Sequence, residues 1–177
     1  VNRCRLPRRH GRNRGRRRMI HDSFDAFAAA LPPLTPLIGL DLGTKTIGVA
    51  LADRLHSAAS PMETIPRKKF TMDADRLAAI ITAREIGGLI LGLPRNMDGS
   101  EGPRAQSTRA FARNLAARPD FAGLPIGFWD ERLSTVAAEK ALLEADTTRK
   151  RRAEVIDAVA ASYILQGALD RLRHLTQ

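Results

Sequence analysis

Three acidic segments of this 177-residue chain stand where carboxylates could do chemistry. Asp41 closes an apolar run in Leu40-Asp41-Leu42-Gly43-Thr44-Lys45-Thr46. An acid there is costly to bury without a partner, and ligands of open α/β sheets gather outside the carboxyl ends of the strands. Gly43 and Gly48 would let backbone approach a phosphate, and Lys45 adds charge. The alternative is a plain turn, since an aspartate just before a glycine often caps one. Asp130-Glu131-Arg132 follows a second apolar run, 126–129, and brings two more acids and a cation to the same edge. Alternatively these are a solvated turn favoured by the dipole of a following helix. Asp157 is the lone charge in the apolar segment 155–165, in line at helical spacing with Ala161, Ile164 and Ala168. A helix apolar nearly all round is buried, and a buried carboxylate needs a cation, a hydrogen-bond network or a metal. The alternative is that Asp157 lies in an exposed first turn.

Three carboxylates converging at ~5 Å repel by roughly 3 kcal/mol per pair at an effective dielectric of about 20. A divalent cation offsets that. All-oxygen ligands suit Mg²⁺ or Mn²⁺, and carboxylate-held metal pairs serve in-line attack of water on phosphodiesters. The single cysteine, Cys4, can form no internal disulfide, and no Cys/His set has zinc spacing. His10, His21, His56 and His174 are scattered, which leaves no nucleophile–histidine–acid triad to argue. Further phosphate contacts are expected from Arg95 and Asn96 in the turn-rich segment 92–100 and from Arg132. A basic loop, 147–152, adds Arg149, Lys150 and Arg151 just before the Asp157 helix.

The elements that must position these residues follow from periodicity. Apolar runs at 37–40 and 46–52 read as a hairpin, with a third short strand at 62–66. A helix is expected over 73–85, then a strand at 89–93 stopped by Pro94, a helix over 107–118 and a strand at 126–129. Ser134 caps a helix over 135–144, and a last helix covers 152–172. Three strands followed by alternating helices and strands imply a mixed five-stranded α/β sheet, antiparallel at its start and parallel through its crossovers, with helices on both faces.

Hydrophobic residues make up 44% of the chain, enough for one core, and no run of ~20 apolar residues could span a bilayer. The formal net charge of +10 is concentrated in residues 1–18, which hold nine arginines and no acid; outside them 20 basic residues face 19 acidic ones. Those arginines read as a phosphate-binding arm, a transit peptide, or codons upstream of a true start at Met19. Residues 1–36, ending in Leu-Pro-Pro-Leu-Thr-Pro, are expected to stay outside the core, with folding beginning near Leu37 and running to residue 177.

At these motifs the chain resembles the YqgF family, also called RuvX, of the RNase H-like superfamily. The residues that carry the resemblance are Asp41-Leu-Gly-Thr-Lys-Thr-Ile-Gly-Val-Ala50, Gly92-Leu-Pro-Arg-Asn-Met-Asp-Gly99, Asp130-Glu-Arg-Leu-Ser-Thr135 and the later Asp157. The resemblance implies an RNase H-like fold and a metal-dependent nuclease acting on nucleic acid. Its implied substrates are pre-16S ribosomal RNA trimmed at its 5′ end or branched DNA, and its implied partners include ribosomal particles, in the cytoplasm, as a monomer or homodimer. Asp41, Glu131 and Asp157 would hold Mg²⁺ or Mn²⁺, with Asp130 able to exchange roles with Glu131. Two other readings compete. Asp-Leu-Gly-Thr also opens the phosphate loop of actin-like ATPases, but those close two such domains over ATP and only one fits this length. A non-catalytic RNA-binding module is the second, since fold does not fix function; three acids at one edge weigh against it, because a surface built only to bind phosphate gains from losing them.

Overall fold

The computed structural model describes residues 19–133 and 149–176. The tail 1–18, the Ser134 cap with its helix over 135–144, and Thr147 and Thr148 lie outside the described residues.

Six strands form one sheet: β1 (Ile20–His21), β2 (Leu37–Leu42), β3 (Thr46–Ala52), β4 (Ala59–Pro66), β5 (Gly88–Leu93) and β6 (Ile126–Asp130), in the order β1-β6-β5-β2-β3-β4. β2, β3 and β4 pair antiparallel, whereas β5 joins β2, β6 joins β5 and β1 joins β6 in parallel. This is the antiparallel-then-parallel α/β arrangement implied by the RNase H-like resemblance, with one strand more than the five expected. β2 and β5 are buried at every position, as central strands covered on both faces must be.

Side-chain alternation sorts the core into two layers. Ile38, Leu40, Leu89, Leu91, Ile126 and Phe128 face α2 (Phe70–Arg84) and α3 (Pro103–Ala116), which bury Leu77, Ile80, Phe111 and Leu115 against them. Leu37, Ala50, Ile90 and Trp129 face the other way, toward α1 (Phe24–Ala30) and α4 (Arg149–Leu175). The small residues Ala158, Ala160 and Ala161 of α4 are buried, as their size predicts for a helix close to the sheet.

Two of the differences from the sequence reading bear on the site. Residues 20–36 belong to the fold, although 1–36 was expected to stay outside it. The Met19 carbonyl accepts from the Ile126 amide at 2.6 Å, Ser23 caps α1 through its Oγ, and Phe27 is fully buried against the glycines Gly88 and Gly127. A two-residue strand and a seven-residue helix are too short to show a period, which hides them in the sequence. In addition, α4 begins at Arg149, so Arg149, Lys150 and Arg151 open a helix and do not form a loop before it. Their positive charge at a helix start runs against the dipole preference that would have marked the boundary.

If the 20–31 segment is part of the core, Phe27→Ala costs about 3–5 kcal/mol in urea unfolding; a loss under about 1 kcal/mol would make that segment an appendage.

Candidate active site

The acids sit where strand alternation and three glycines put them. Leu37 and Gly39 of β2 face α4, so Asp41, two residues on, lies on the same face at the carboxyl end of the strand. It is 4% exposed. Asp41 pairs in register with Gly48 of β3, and Gly92 of β5 stands one residue beyond the Leu40–Leu91 pair on Asp41's other side. The row Gly92, Asp41, Gly48 therefore crosses three neighbouring strands at one level.

Each flanking glycine receives one of the other acids. A Cβ on Gly48 would lie 1.9 Å from the Asp157 carbonyl oxygen, so the backbone of α4 rests directly on β3. Asp157 is half-buried in the third turn of α4, and its carboxylate accepts a short hydrogen bond from the Thr46 hydroxyl. A Cβ on Gly92 would lie 2.7 Å from Glu131 Oε1 and 2.5 Å from Ile164 of α4, which brings the Glu131 carboxylate onto the same face over β5. With strands about 4.8 Å apart, the three acids span roughly 10 Å of one sheet face.

Asp130 is separated from them by one step of alternation. It shares a face with Phe128, away from α4, and is taken up by cations: Arg132 bonds it at 2.6 and 3.0 Å and Arg95 stands at 3.8 Å. The Arg132 guanidinium holds its carboxyl below the ordinary range, against the burial that acts in the other direction.

The expected phosphate contacts divide in two. Lys45 is exposed in the turn between β2 and β3, and Gly43, where a Cβ would meet the Thr46 carbonyl at 2.9 Å, keeps that turn tight. Arg95, Asn96 and Arg132 are engaged within the protein. Arg95 pairs with Glu101 at 3.2 Å, and Asn96 closes its loop onto Ser100 through two bonds of 2.9 Å. The side chains of Arg149, Lys150 and Arg151 lie outside the described residues.

Four residues escaped the sequence reading. Thr46 anchors Asp157 and was quoted only as part of a motif. Arg67 donates to the Gly43 carbonyl at 2.7 Å and packs over the Phe111 ring at 5.8 Å, bracing the turn beside Asp41. Glu101 and Arg109 pair at 2.6 and 2.7 Å, and Arg109 continues to Asp22 at 2.8 Å, so a chain of ion pairs ties the loop after β5 to the segment before α1. No local sequence signal marks partners 87 residues apart.

A hard divalent cation suits the all-oxygen donor set of Asp41, Glu131 and Asp157. Among the described residues, no three Asp, Glu, His or Cys side chains are drawn together tightly enough to enclose an ion in this conformation. The residues fit such an ion by chemistry and by shared face. A cleft of about 400 Å³ opens at the ends of β5 and β6, lined by Leu93, Arg95, Trp129, Asp130 and Leu133 among others.

Residues 35–171 match the RuvX family, described as Holliday junction resolvase. The chain belongs to this nuclease family. It is 74% identical over 157 residues to a protein of Jannaschia sp. (strain CCS1), and 71% identical over 157 residues to one of Ruegeria pomeroyi, each named "Putative pre-16S rRNA nuclease". The matches cover 89% of this chain and 98% and 100% of those relatives. Among solved structures, Thermus thermophilus RuvC in complex with a Holliday junction substrate aligns at a TM-score of 0.49 and 12% identity, covering 78% of this chain and 96% of that one. The two-domain ATPase reading falls with the family assignment. Among the described residues, no helix is long and apolar enough to cross a membrane.

Two predictions follow from this geometry. Gly48→Ala forces α4 off β3, so it lowers stability by about 1–3 kcal/mol in chemical denaturation and displaces Asp157, seen as the loss of its contact to Thr46 in a crystal structure. Glu101 is held below its ordinary 4.5 chiefly by its hydrogen bond to Arg109. A lowered carboxylate contributes stability above its unfolded value and loses it as pH falls through the folded one. Glu101→Gln therefore costs about 1 kcal/mol at pH 7, and the gap between variant and parent narrows as pH falls below the ordinary 4.5.

Proposed function

We propose that the protein is a metal-dependent phosphodiester endonuclease that matures the 5′ end of pre-16S ribosomal RNA in the cytoplasm, on precursor ribosomal particles. One observation carries the reading: the row Gly92, Asp41, Gly48 brings three carboxylates to one face at the carboxyl edge of the sheet. A structural role accounts poorly for acids so placed, because they repel one another unless a cation lies between them. The naming of close relatives supports ribosomal RNA as substrate, and the description of the family supports branched DNA as the second candidate.

In this mechanism Asp41, Glu131 and Asp157 would hold Mg²⁺ or Mn²⁺, which would supply activation of the attacking water and charge neutralisation at the leaving oxygen. Asp41 is fixed by its central strand. Asp157 is oriented by the Thr46 hydroxyl, which donates to its carboxylate. Glu131 reaches over Gly92, whose missing side chain leaves it room. Lys45 and the Gly43 turn meet the phosphate backbone beside Asp41. Arg95, Asn96 and Arg132 shape the opposite wall, and Arg149, Lys150 and Arg151 bring further positive charge at the start of α4. Asp130 neutralises Arg132 and Arg95 and leaves the metal to Glu131.

Cleavage of a 5′-extended 16S precursor RNA and of a four-way DNA junction, run with Mg²⁺, Mn²⁺ or EDTA, tests the proposal. Asp41→Asn and Asp157→Asn lower the rate at least about 100-fold while substrate binding persists, and EDTA abolishes cutting by the parent. Activity that survives EDTA or both substitutions would overturn the mechanism. Cutting of the junction alone would replace the RNA substrate with DNA.

A further inference from the structure

The lysines of the chain are distributed unlike its arginines. Of five lysines, three, Lys45, Lys68 and Lys69, meet at one corner of the sheet. The Arg67 amide donates to the Lys45 carbonyl at 2.8 Å, where β4 runs out opposite the β2–β3 turn, so Lys68 and Lys69 leave the sheet next to Lys45. All three are exposed, and their side chains make no ion pair or hydrogen bond among the described residues. Arginines elsewhere are mostly committed to acids: Arg76 to Glu63, Arg109 to Glu101, Arg118 to Asp75 and Asp120, Arg132 to Asp130.

The backbone under these lysines is fixed. Asp73, 3% exposed, accepts from the Lys68 amide at 3.1 Å and stands 3.9 Å from Arg67, which itself grips the Gly43 carbonyl. The nearby acid is thus spent on backbone and Arg67 and leaves the lysine ammonium groups unneutralised. Lys69 is moreover the N-cap of α2, and it makes no side-chain cap bond. Caps favour Ser, Thr, Asp or Asn, and the positive end of the dipole disfavours a cation. Helix stability therefore gives no reason for two lysines at this point. A polyanion laid across the corner gives one, because it meets the ammonium groups and the helix end together.

We infer that Lys68 and Lys69, together with Lys45, form a backbone-phosphate grip for nucleic acid on the β4 side of the carboxylates. The inference rests on the nuclease reading for its substrate class and adds a direction to it. From this corner the strand passes the end of β2 at Asp41 toward Glu131 over β5, so the grip holds nucleotides on one side of the scissile bond. The contacts are to phosphates and carry no base preference.

The test is the salt dependence of binding by the full chain, with a four-way DNA junction and a 5′-extended 16S precursor RNA as probes. Parent, Lys68→Ala/Lys69→Ala and Arg84→Ala are titrated from low to physiological KCl. Arg84, an exposed arginine at the far end of α2 with no ion pair among the described residues, controls for charge in general. The double variant is expected to bind about tenfold more weakly and to lose about 2 from the slope of log affinity against log salt, roughly 1 for each phosphate contact. Its melting temperature and its rate at saturating substrate stay at the parent values, and Arg84→Ala changes neither slope nor affinity. An unchanged slope in the double variant, or an equal fall in Arg84→Ala, overturns the grip. If the parent binds without cutting, the nuclease reading fails while the slopes still decide the lysines. If the parent binds neither probe, both fail.

Discussion

The arrangement of this protein depends on the contact between the backbone of α4 and the backbone of β3. At Gly48 the two segments come so close that a single methyl group would overlap the Asp157 carbonyl. Two other glycines of that face, Gly39 and Gly92, lie against Leu165 and Ile164 of the same helix. Glycine within a strand costs roughly 0.5–1 kcal/mol in conformational entropy relative to alanine, and the burial of Ile164, Leu165, Ala168 and Leu169 offsets it. The approach brings a helix-borne carboxylate to the level of a strand-borne one.

Alternation along the strands then sorts the remaining charge. Asp130 and Glu131 are neighbours in sequence, yet one turns to a network of guanidinium groups and the other to the glycine row. The division is electrostatically coherent: a carboxylate bonded bidentately by arginine is poorly placed to share a cation, and one left over a glycine is well placed. The ion pairs running from Asp130 through Arg95, Glu101 and Arg109 to Asp22 brace this end of the sheet. They also tie β1 and α1 to the wall of the site, which gives the N-terminal segment 20–31 a structural part in it.

A nuclease that used these acids, as proposed, would also have to receive a polyanion, and the surface would resolve the conflict by separation. Acids occupy the face beneath α4, while lysines with no ion pair among the described residues occupy the adjoining corner at the start of α2. Arginines near the acids are largely neutralised by internal partners. On the proposed reading, attraction for a phosphate backbone is thereby moved to the side of the reacting position.

Much of this was legible in the chain itself. The apolar run closed by Asp41, the strand before Asp130, and the lone acid in the small, apolar segment around Asp157 reveal themselves through periods of 2 and 3.6, which any sequence displays. The mixed order of strands follows from the same periods. What the sequence could not display was pairing across distance: that Gly48 rather than a turn glycine receives α4, that Thr46 holds Asp157 across 111 residues, and that Glu131 rather than Asp130 shares the face. Nor could it show that seven residues around Phe27 form a core helix, since so short a segment has no period to read. Residue types and their spacing determined which groups were available for chemistry. Sheet register and close backbone approach, which depend on contacts between segments far apart in the chain, decided which of them stand together.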